Sequence, residues 1–338
     1  MRENGIEKGK ILRILETKLK EDFSYQDGSI LGSMCTEPFD IAKEVYIKYI
    51  SKNLGDPGLF PGTMLLEKEV IAEVGKLFNG HNITGNFTTG GSEANLIAMR
   101  IAKKLRPDIE CPEVVLSKAA HVSFDKAADL LGIKLQKVSL TKDFKLNIKQ
   151  YADLINENTC GVVGIAGTTS LGLIDPIDEI GELIRDKNIF FHVDAAFGGF
   201  ILPFLENKGN TIPHWDFSVP EVDSITADPH KMGMGVIPSG GYFLRDKSII
   251  KRIGFEIPYL AGGTCKHLQF VGTRTGASVI AFWVLMNYLG KNGYKEIIIN
   301  CLNNTKYLAE RVKEIDGLKL AVEPVINVLG ITTQSGKS

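Results

Sequence analysis

Two apolar runs of strand type flank a helical run in GVVGIAGTTSLGLIDPIDEIGELIRDKNIFFHVDAA, residues 161–196. Both apolar runs, 161–169 and 188–196, are nearly continuous, which is typical of strands that are buried on both faces. The segment between them, 177–187, has helical character. Two buried strands joined through a helix run parallel to each other. The segment therefore predicts an α/β fold built around a mostly parallel sheet.

Further helical and strand-like runs alternate on both sides of this unit. Helical patterns cover 65–78, 88–105, 123–132 and 147–156, and strand-like runs cover 113–117, 134–140, 222–228 and 240–245. This alternation favours a sheet that is covered by helices on both faces. We therefore predict three parts of the chain: an N-terminal arm and dimer segment over 1–60, a large domain over 61–291, and the start of a small, incomplete C-terminal domain over 292–338.

The composition is that of a globular protein. Of the 338 residues 44% are hydrophobic and 23% are charged, and 39 Lys and Arg balance 40 Asp and Glu. A formal net charge of −1 without a strongly basic block gives no reason to expect a nucleic-acid partner. The apolar segment 277–290 is shorter than the roughly 20 residues that a membrane span needs, so we expect a buried helix there and no membrane association.

The cysteines and the first residues bear on metal binding and localisation. Five scattered cysteines without a C-x-x-C pair indicate neither a disulfide framework nor a zinc site. Residues 1–22 mix charged and apolar residues and lack the apolar core of a signal peptide, so they predict a surface or arm helix. We expect no metal and a cytoplasmic protein.

The triplet Gly90-Gly91-Ser92 stands where a helix begins. In parallel sheets ligands gather at the carboxyl ends of the strands, and a helix start offers free N–H groups and the positive end of a dipole to an anion. A serine hydroxyl adds a further donor. The same triplet also fits an ordinary turn in which Ser92 is the N-cap, so this short motif leaves both interpretations open.

Asp194 ends the buried strand of 188–196 and is followed by two alanines. It could cap the next turn, or it could face the nitrogen of an aromatic ring and favour the protonated ring. In the second case Ala195 and Ala196 leave room for a planar group against the backbone. The sequence supports both roles about equally at this position.

His230 and Lys231 stand side by side after the strand of 222–228, before a loop rich in glycine. His121 follows the strand of 113–117. A lone histidine is usually structural, but this one is expected at the same edge of the sheet as the other candidate residues. An anion site, a carboxylate, a flat histidine and a lysine at neighbouring strand ends suggest pyridoxal phosphate. Lys231 would carry this cofactor as a Schiff base.

Six motifs occur in an order and at a spacing that are shared with a known family. They are TTGGSEAN (88–95), AHVSFDKA (120–127), GIAGTTSLGLIDPI (164–177), HVDAAFGGF (192–200), DPHKMG (228–233) and GTRTGAS (272–278). In these motifs the chain resembles the group II pyridoxal-phosphate-dependent amino-acid decarboxylases, which have the aspartate-aminotransferase (type I) fold. SMC (33–35) and NLGDPGLF (53–60) bring it nearest to the archaeal tyrosine/aspartate decarboxylases.

The resemblance implies a role for each residue around the cofactor ring. Lys231 is the Schiff-base lysine, and Asp194 is the partner of the pyridine nitrogen. His121 stacks on one face of the ring, and Ala196 packs on the opposite face. Thr169 lies near the ring hydroxyl.

The resemblance also implies a phosphate site and a homodimer with shared active sites. Gly91, Ser92 and His230 contact the phosphate, joined by Thr273 from the neighbouring subunit. Tyr259 matches the tyrosine of a mobile loop, which protonates the substrate carbon after CO₂ leaves; His121 is the alternative acid.

Two features depart from the family pattern. The family usually continues beyond the equivalent of residue 338 to complete a small C-terminal domain. Many members also have Asn where Asp228 stands, and because an acidic side chain repels a phosphate, we expect Asp228 to lie outside the phosphate site.

The implied reaction is the α-decarboxylation of an L-amino acid. L-tyrosine and L-aspartate are both candidate substrates. Phe60 and Leu59 favour tyrosine slightly, while a cation such as Arg274 or Lys266 would suit an acidic substrate. The alternatives are an aminotransferase or a carbon–sulfur lyase of the same fold, or a non-catalytic paralogue.

Overall fold

The computed structural model describes residues 1–30, 32–205 and 212–333. The last five residues of the predicted C-terminal segment lie outside these ranges. The helices are α1 (Lys8–Lys18), α2 (Asp40–Lys48), α3 (Pro61–Leu77), α4 (Gly91–Leu105), α5 (Ser123–Leu131), α6 (Ile148–Leu154), α7 (Ile177–Ile184), α8 (Ser248–Ile253) and α9 (Ala277–Lys313). The strands are β1 (Thr84–Thr88), β2 (Glu113–Ser117), β3 (Lys134–Val138), β4 (Thr159–Ile165), β5 (Phe190–Asp194), β6 (Ser224–Ala227), β7 (Gly240–Leu244), β8 (Phe255–Ile257), β9 (Cys265–His267), β10 (Leu318–Leu320) and β11 (Ile331–Thr333).

Seven strands form the central sheet, in the order β1-β7-β6-β5-β4-β2-β3. β6, β5, β4, β2 and β3 pair in parallel, whereas β7 pairs antiparallel with β1 and β6. Strands β2, β4, β5, β6 and β7 are buried along their whole length, which agrees with their nearly continuous apolar sequences. The predicted α/β fold with a mostly parallel sheet is confirmed.

The parallel strands bring distant parts of the sequence to one edge of the sheet. β1, β2, β4, β5 and β6 all run in the same direction, so the loops that follow them lie at the same edge. Those loops begin with Thr89, Lys118, Ala166, Ala195 and Asp228. The polar residues that the sequence places at strand ends are thereby gathered together.

The N-terminal arm reaches the loop that follows β6. The Oγ1 hydroxyl of Thr36 donates to the backbone oxygen of Lys231 at 2.7 Å. Nearby, the backbone N–H of Phe39 donates to the oxygen of Met234 at 3.3 Å. These bonds hold the Lys231 loop against the arm. The apolar side chains of α1 (Ile11, Leu12 and Leu15) are by contrast about half exposed.

The long helix α9 crosses the predicted boundary between the large and the C-terminal domain. Its first part, from Ala277 to Leu285, is largely buried, and the helix packs mainly on α2 and α3. At Gly290 the backbone leaves the helical region, with φ 57° and ψ −175°. A positive φ favours glycine, so this residue permits the change of direction at no steric cost. The three-part division of the chain remains a prediction.

Candidate active site

A cavity of about 330 Å³ opens at the carboxyl edge of the sheet. Eight of the residues singled out from the sequence line it: Gly91, Ser92, His121, Thr169, Asp194, Ala196, His230 and Lys231. They come from the start of α4, from the end of β5 and from the loops after β2, β4, β5 and β6. Residues as far apart in sequence as Gly91 and Lys231 therefore share one site, because the parallel strands all end at this edge.

Lys231 lies one turn after β6, and its side chain is 20% exposed. Its Nζ is 3.2 Å from Oδ2 of Asp228, whose side chain is only 1% exposed. The backbone N–H of Gly91 donates to the same oxygen at 3.0 Å, and Nε2 of His230 lies 3.6 Å from it. Burial by itself would raise the pKa of Asp228, but the hydrogen bond from His230 and the charge of Lys231 outweigh burial and lower this pKa.

The sequence predicts that Asp228 lies outside the phosphate site, and this stays a prediction, although Asp228 lies close to Gly91 and His230, which are predicted to contact the phosphate. Its carboxylate lines the cavity and meets the first N–H of α4. The sequence argument considered only repulsion between this carboxylate and a phosphate. In the structure Lys231, His230 and the start of α4 surround the carboxylate with positive charge and N–H groups, so the acidic side chain is accommodated.

Asp194, the last residue of β5, presents its carboxylate to the cavity. Oδ1 accepts a hydrogen bond from the backbone N–H of Ala196 at 3.1 Å. Oδ2 accepts one from Nδ2 of Asn95 at 2.9 Å. Both oxygens thus receive an N–H donor, and the carboxylate is held from two sides.

His121 lies in the loop between β2 and α5 and is exposed on the cavity side. Its Nδ1 accepts the backbone N–H of Ser123 at 3.2 Å, and the Oγ of the same serine lies 3.0 Å from it. Because Nδ1 accepts a hydrogen bond, the proton of the neutral ring is on Nε2. The imidazole therefore offers Nε2–H as a donor.

Small residues shape the anion end of the cavity. A Cβ atom on Gly91 would lie 2.8 Å from Oδ2 of Asp228 and 3.2 Å from Cβ of Ala196, so a side chain would not fit there. Gly167 has φ 103°, a conformation that other residues rarely adopt. Ser92, in the first turn of α4, is exposed at the same end. The start of α4 thus borders the cavity, with Ser92 exposed beside the hydrogen bond between Gly91 and Asp228.

Tyr259 and Thr273 do not line this cavity. Tyr259 lies between β8 and β9 and is 82% exposed. Thr273 lines a second cavity of about 240 Å³ together with Arg274. Thr89 borders both cavities, so the two are neighbours. The predicted roles of Tyr259 and Thr273 in a partner subunit's site remain predictions.

The two cations that were considered for an acidic substrate lie elsewhere. Nη2 of Arg274 is 3.6 Å from Oε2 of Glu67, in a pair that is almost fully buried. Nζ of Lys266, on β9, is 3.6 Å from Oε2 of Glu256. Neither residue borders the cavity of Lys231.

Sequence reasoning missed Asn95 and Phe197, which also line the cavity. Asn95 lies inside α4, where a polar residue gives no signal in the helical pattern. The motif TTGGSEAN ends at this position, and its place one turn after the Gly90-Gly91-Ser92 triplet was the available clue. Phe197 follows Ala196 in the motif HVDAAFGGF, and no separate signal in the sequence indicated a role for it.

Comparison with solved structures defines the class of protein. The chain superposes on sphingosine-1-phosphate lyase from Burkholderia pseudomallei with a TM-score of 0.88 and 26% identity, covering 99% of this chain and 80% of the lyase. With glutamate decarboxylase from Lactobacillus brevis the TM-score is 0.90 at 24% identity, covering 99% and 79%. The fold is that of the type I pyridoxal-phosphate enzymes, as predicted.

Sequence comparison defines the family. A model of the pyridoxal-dependent decarboxylase conserved domain matches residues 36–330, and the chain therefore belongs to the pyridoxal-dependent decarboxylase family. An L-aspartate/L-glutamate decarboxylase from Pyrococcus horikoshii is 45% identical over 98% of this chain and 87% of its own length. A probable L-tyrosine/L-aspartate decarboxylase from Methanothermobacter thermautotrophicus is also 45% identical, over 90% and 83%. The chain is a pyridoxal-phosphate-dependent amino-acid decarboxylase, which confirms the predicted enzyme class and cofactor.

Membrane and metal binding were also considered from the structure. Within 1–30, 32–205 and 212–333, no helix has the length and apolar character needed to cross a membrane. In the same part of the chain, no group of three or more His, Cys, Asp and Glu side chains is arranged to hold a metal ion.

Proposed function

We propose that this enzyme removes the α-carboxyl group of L-aspartate, with L-tyrosine as the second candidate substrate. The observation that carries the reaction is the cavity at the carboxyl edge of the sheet, in which Lys231, Asp194 and His121 meet. Aspartate is supported by the names of similar proteins, since L-aspartate occurs in the name of the Thermococcus kodakarensis relative as well as in the two given above. Tyrosine is supported by the name of the Methanothermobacter relative.

The residues of the cavity fit pyridoxal phosphate. The start of α4 and Ser92 suit its phosphate, and Gly91 allows Asp228 and Ala196 to pack closely against this helix start. Asp194 suits the ring nitrogen, because its carboxylate faces the cavity and is fixed by two N–H donors. Oδ1 of Asp228 is buried without a hydrogen-bond partner among the described residues, which leaves an acceptor next to the lysine.

Pyridoxal phosphate, when bound, forms a covalent bond with an amino group and withdraws electrons from the α-carbon into its ring. Lys231 provides the amine that holds the cofactor, and Asp228 is the counter-ion of that amine when the substrate takes its place. Asp194 keeps a proton on the ring nitrogen. With the cofactor bound, His121 would cover one ring face, Ala196 would lie on the other, and Thr169 would lie close to the ring hydroxyl.

The last chemical step delivers a proton to the α-carbon after CO₂ has left. We assign this step to Tyr259 of the second subunit in a homodimer, with His121 as the alternative acid. The high exposure of Tyr259 supports a role outside its own chain's cavity. Thr273 of the second subunit would complete the phosphate site. We place this homodimer in the cytoplasm.

The test is to incubate the purified protein with pyridoxal phosphate and a panel of L-amino acids, and to measure CO₂ and amine. We expect β-alanine from L-aspartate or tyramine from L-tyrosine. Reduction with borohydride should leave the cofactor attached to Lys231, as read by peptide mass spectrometry. Amino transfer that depends on a keto acid and releases no CO₂ would contradict the proposal, and attachment to another lysine would contradict the role of Lys231.

A further inference from the structure

Asn95 lines the inner wall of the cavity, on the side of α4 that faces the sheet, and is 1% exposed. All of its polar side-chain atoms have partners. Nδ2 donates to Oδ2 of Asp194 at 2.9 Å and to Oγ of Ser123 at 3.0 Å. Oδ1 lies 3.0 Å from Nε2 of His192. Both N–H donors of the amide are used. Its contacts therefore define which way round the oxygen and the nitrogen of the amide are placed.

The direction of the amide follows from Asp194. A carboxylate only accepts hydrogen bonds, so the atom of Asn95 that faces Asp194 must be Nδ2. Oδ1 of Asn95 then faces His192, and the proton of the neutral His192 ring must be on Nε2. Oγ of Ser224, 2.8 Å from Nδ1 of His192, donates to that nitrogen. The hydrogen bonds thus run in one direction, from the hydroxyl of Ser224 through His192 and Asn95 to the carboxylate of Asp194.

His192 stays neutral in this chain. It is 2% exposed, and burial lowers its pKa to about 3. Oγ1 of Thr226, 3.2 Å from Nε2, offers the same ring proton a second acceptor. A charged imidazolium would carry a proton on Nδ1 as well, so the hydroxyl of Ser224 could no longer donate to that nitrogen. His192 therefore supplies its one N–H toward Asn95 over the whole ordinary pH range.

The second hydrogen of Asn95 Nδ2 connects Asp194 with His121. Ser123 accepts this hydrogen, which leaves its own hydroxyl hydrogen free to point to Nδ1 of His121, 3.0 Å away. One side-chain amide thus contacts the carboxylate on β5 directly and the histidine after β2 through one serine. Both of these groups face the cavity.

We infer that Asn95 is a positioning residue, which directs the Asp194 carboxylate toward the ring nitrogen of the cofactor and fixes the ring of His121. The inference rests on the proposed function of this cavity. The two N–H groups of Asn95 act as donors, and a side chain of the same shape that can only accept hydrogen bonds cannot replace them. The donor and not the volume of the side chain is the property that matters.

Asn95→Ala is the first variant of the test, and Asn156→Ala is its matched control. Nδ2 of Asn156 donates to Oε2 of Glu113, also at 2.9 Å, at the amino end of β2 and thus at the opposite edge of the sheet. We expect Asn95→Ala to lower kcat about tenfold or more and to weaken cofactor binding, with KM changed less than about threefold. Asn156→Ala should leave kcat, KM and cofactor binding unchanged. A wild-type kcat and cofactor Kd in Asn95→Ala would overturn the inference.

Asn95→Asp separates the donor from the volume. Two carboxyl groups at hydrogen-bond distance cannot both ionise, so one of them must keep a proton, and the introduced group replaces the donor only when it holds a proton itself. Relative to the wild type, cofactor affinity and kcat should recover as the pH falls from about 8 to about 6 and decline as it rises. The other titratable groups near this position are shared by both proteins: His121, Asp194, His192, Asp228, His230 and Lys231. A pH profile parallel to that of the wild type would count against the donor role.

The tautomer of His192 gives a measurement that does not depend on activity. In long-range ¹H–¹⁵N spectra of histidine-labelled protein without cofactor, with His192→Gln used for assignment, we expect the Nε2–H form. The Nδ1–H form would reverse the assigned direction of the amide and overturn the inference. If the wild-type enzyme releases no CO₂, the proposed function is refuted but the inference on Asn95 is not. Cofactor binding and the His192 tautomer still test the role of Asn95.

Discussion

Nζ of Lys231 lies 3.2 Å from Oδ2 of Asp228, a carboxylate that is buried within the cofactor cavity. Without the cofactor this ammonium group is the nearest full positive charge to a carboxylate whose other oxygen has no partner among the described residues. A buried charge that loses its partner destabilises a fold strongly, whereas a buried pair is close to neutral. The two residues should therefore be coupled in stability as well as in function.

Lys231→Ala should lower the unfolding free energy of the cofactor-free protein by roughly 1–3 kcal/mol, because it removes the ammonium group beside the buried Asp228 carboxylate. In an Asp228→Asn background the same change should cost much less, since the neutral amide needs no counter-ion. Urea denaturation of the four proteins gives the coupling energy. Lys134→Ala is a suitable control, because Lys134 pairs with Glu113 but is itself largely exposed. Equal losses in both backgrounds would show that the two residues are not coupled.

Asp194→Asn should keep the fold and bind the cofactor but lower kcat by about 100-fold or more, because a neutral amide cannot keep the ring nitrogen protonated. Absorbance of the bound cofactor gives its content, and CO₂ release gives turnover. The two measurements separate a binding defect from a chemical one. Turnover at the wild-type rate with full cofactor content would show that the carboxylate of Asp194 is not needed.

The buried Asp175 should make stability depend on pH. Its Oδ2 accepts the backbone N–H of Ile165 at 2.9 Å, and burial raises its pKa from 3.8 to about 7, only partly offset by this bond. Between these two values the folded protein holds a proton that the unfolded chain has lost. The contribution of Asp175 to stability therefore falls as the pH rises from about 4 to about 7, by up to about 1.4 kcal/mol per pH unit.

Asp175→Asn should remove this dependence, because an asparagine has no proton to lose and its Oδ1 can still accept from Ile165. The variant should be more stable than the wild type near pH 8, and the difference should shrink toward pH 4. Denaturant unfolding at several pH values measures it. The pKa of His192, about 3, has the opposite effect on stability, because acid then favours the unfolded chain. His192 is present in both proteins, so its contribution cancels in the difference between them. A constant difference across the pH range would contradict the assignment to Asp175.

Much of the fold could be predicted because the sequence pattern and the tertiary structure agree. The strand of 113–117 coincides with β2, and the helix of 177–187 begins at the first residue of α7. β1 was not predicted: TGNFT is short, contains Gly85 with φ 154°, and forms a strand through its antiparallel pairing with β7. Pairing with a partner so distant in sequence leaves no local signal.

The cavity residues that could be predicted are those at strand ends. Lys231, Asp194 and His121 are polar residues that interrupt or end apolar runs, and parallel strands bring such residues together. Asn95 is polar inside a helix, where solvent exposure is the ordinary interpretation. Only the fold shows that this position faces β5 and meets Asp194. That Asp228 lies beside Gly91 could not be known from the sequence, because the two residues are far apart along the chain.

The remaining prediction concerns the second subunit. Tyr259 and Thr273 do not border the Lys231 cavity of their own chain, and the apolar residues of α1 are half exposed. A homodimer in which each subunit completes the other's site would account for both observations. Chains with Lys231→Ala and chains with Tyr259→Phe should each be inactive alone. A heterodimer should have one site with neither change, and therefore recover part of the activity.

Co-expression of the two variants with different affinity tags allows the heterodimer to be isolated by two successive purification steps. We expect about half of the wild-type activity per dimer, because one of its two sites is intact and the other carries both changes. The control is a heterodimer of the wild type with a chain carrying both changes, which should be inactive because each of its sites then contains one change. If the first heterodimer is inactive while the control retains activity, Tyr259 acts in the same chain as Lys231. The loop between β8 and β9 must then move to the cavity of its own subunit.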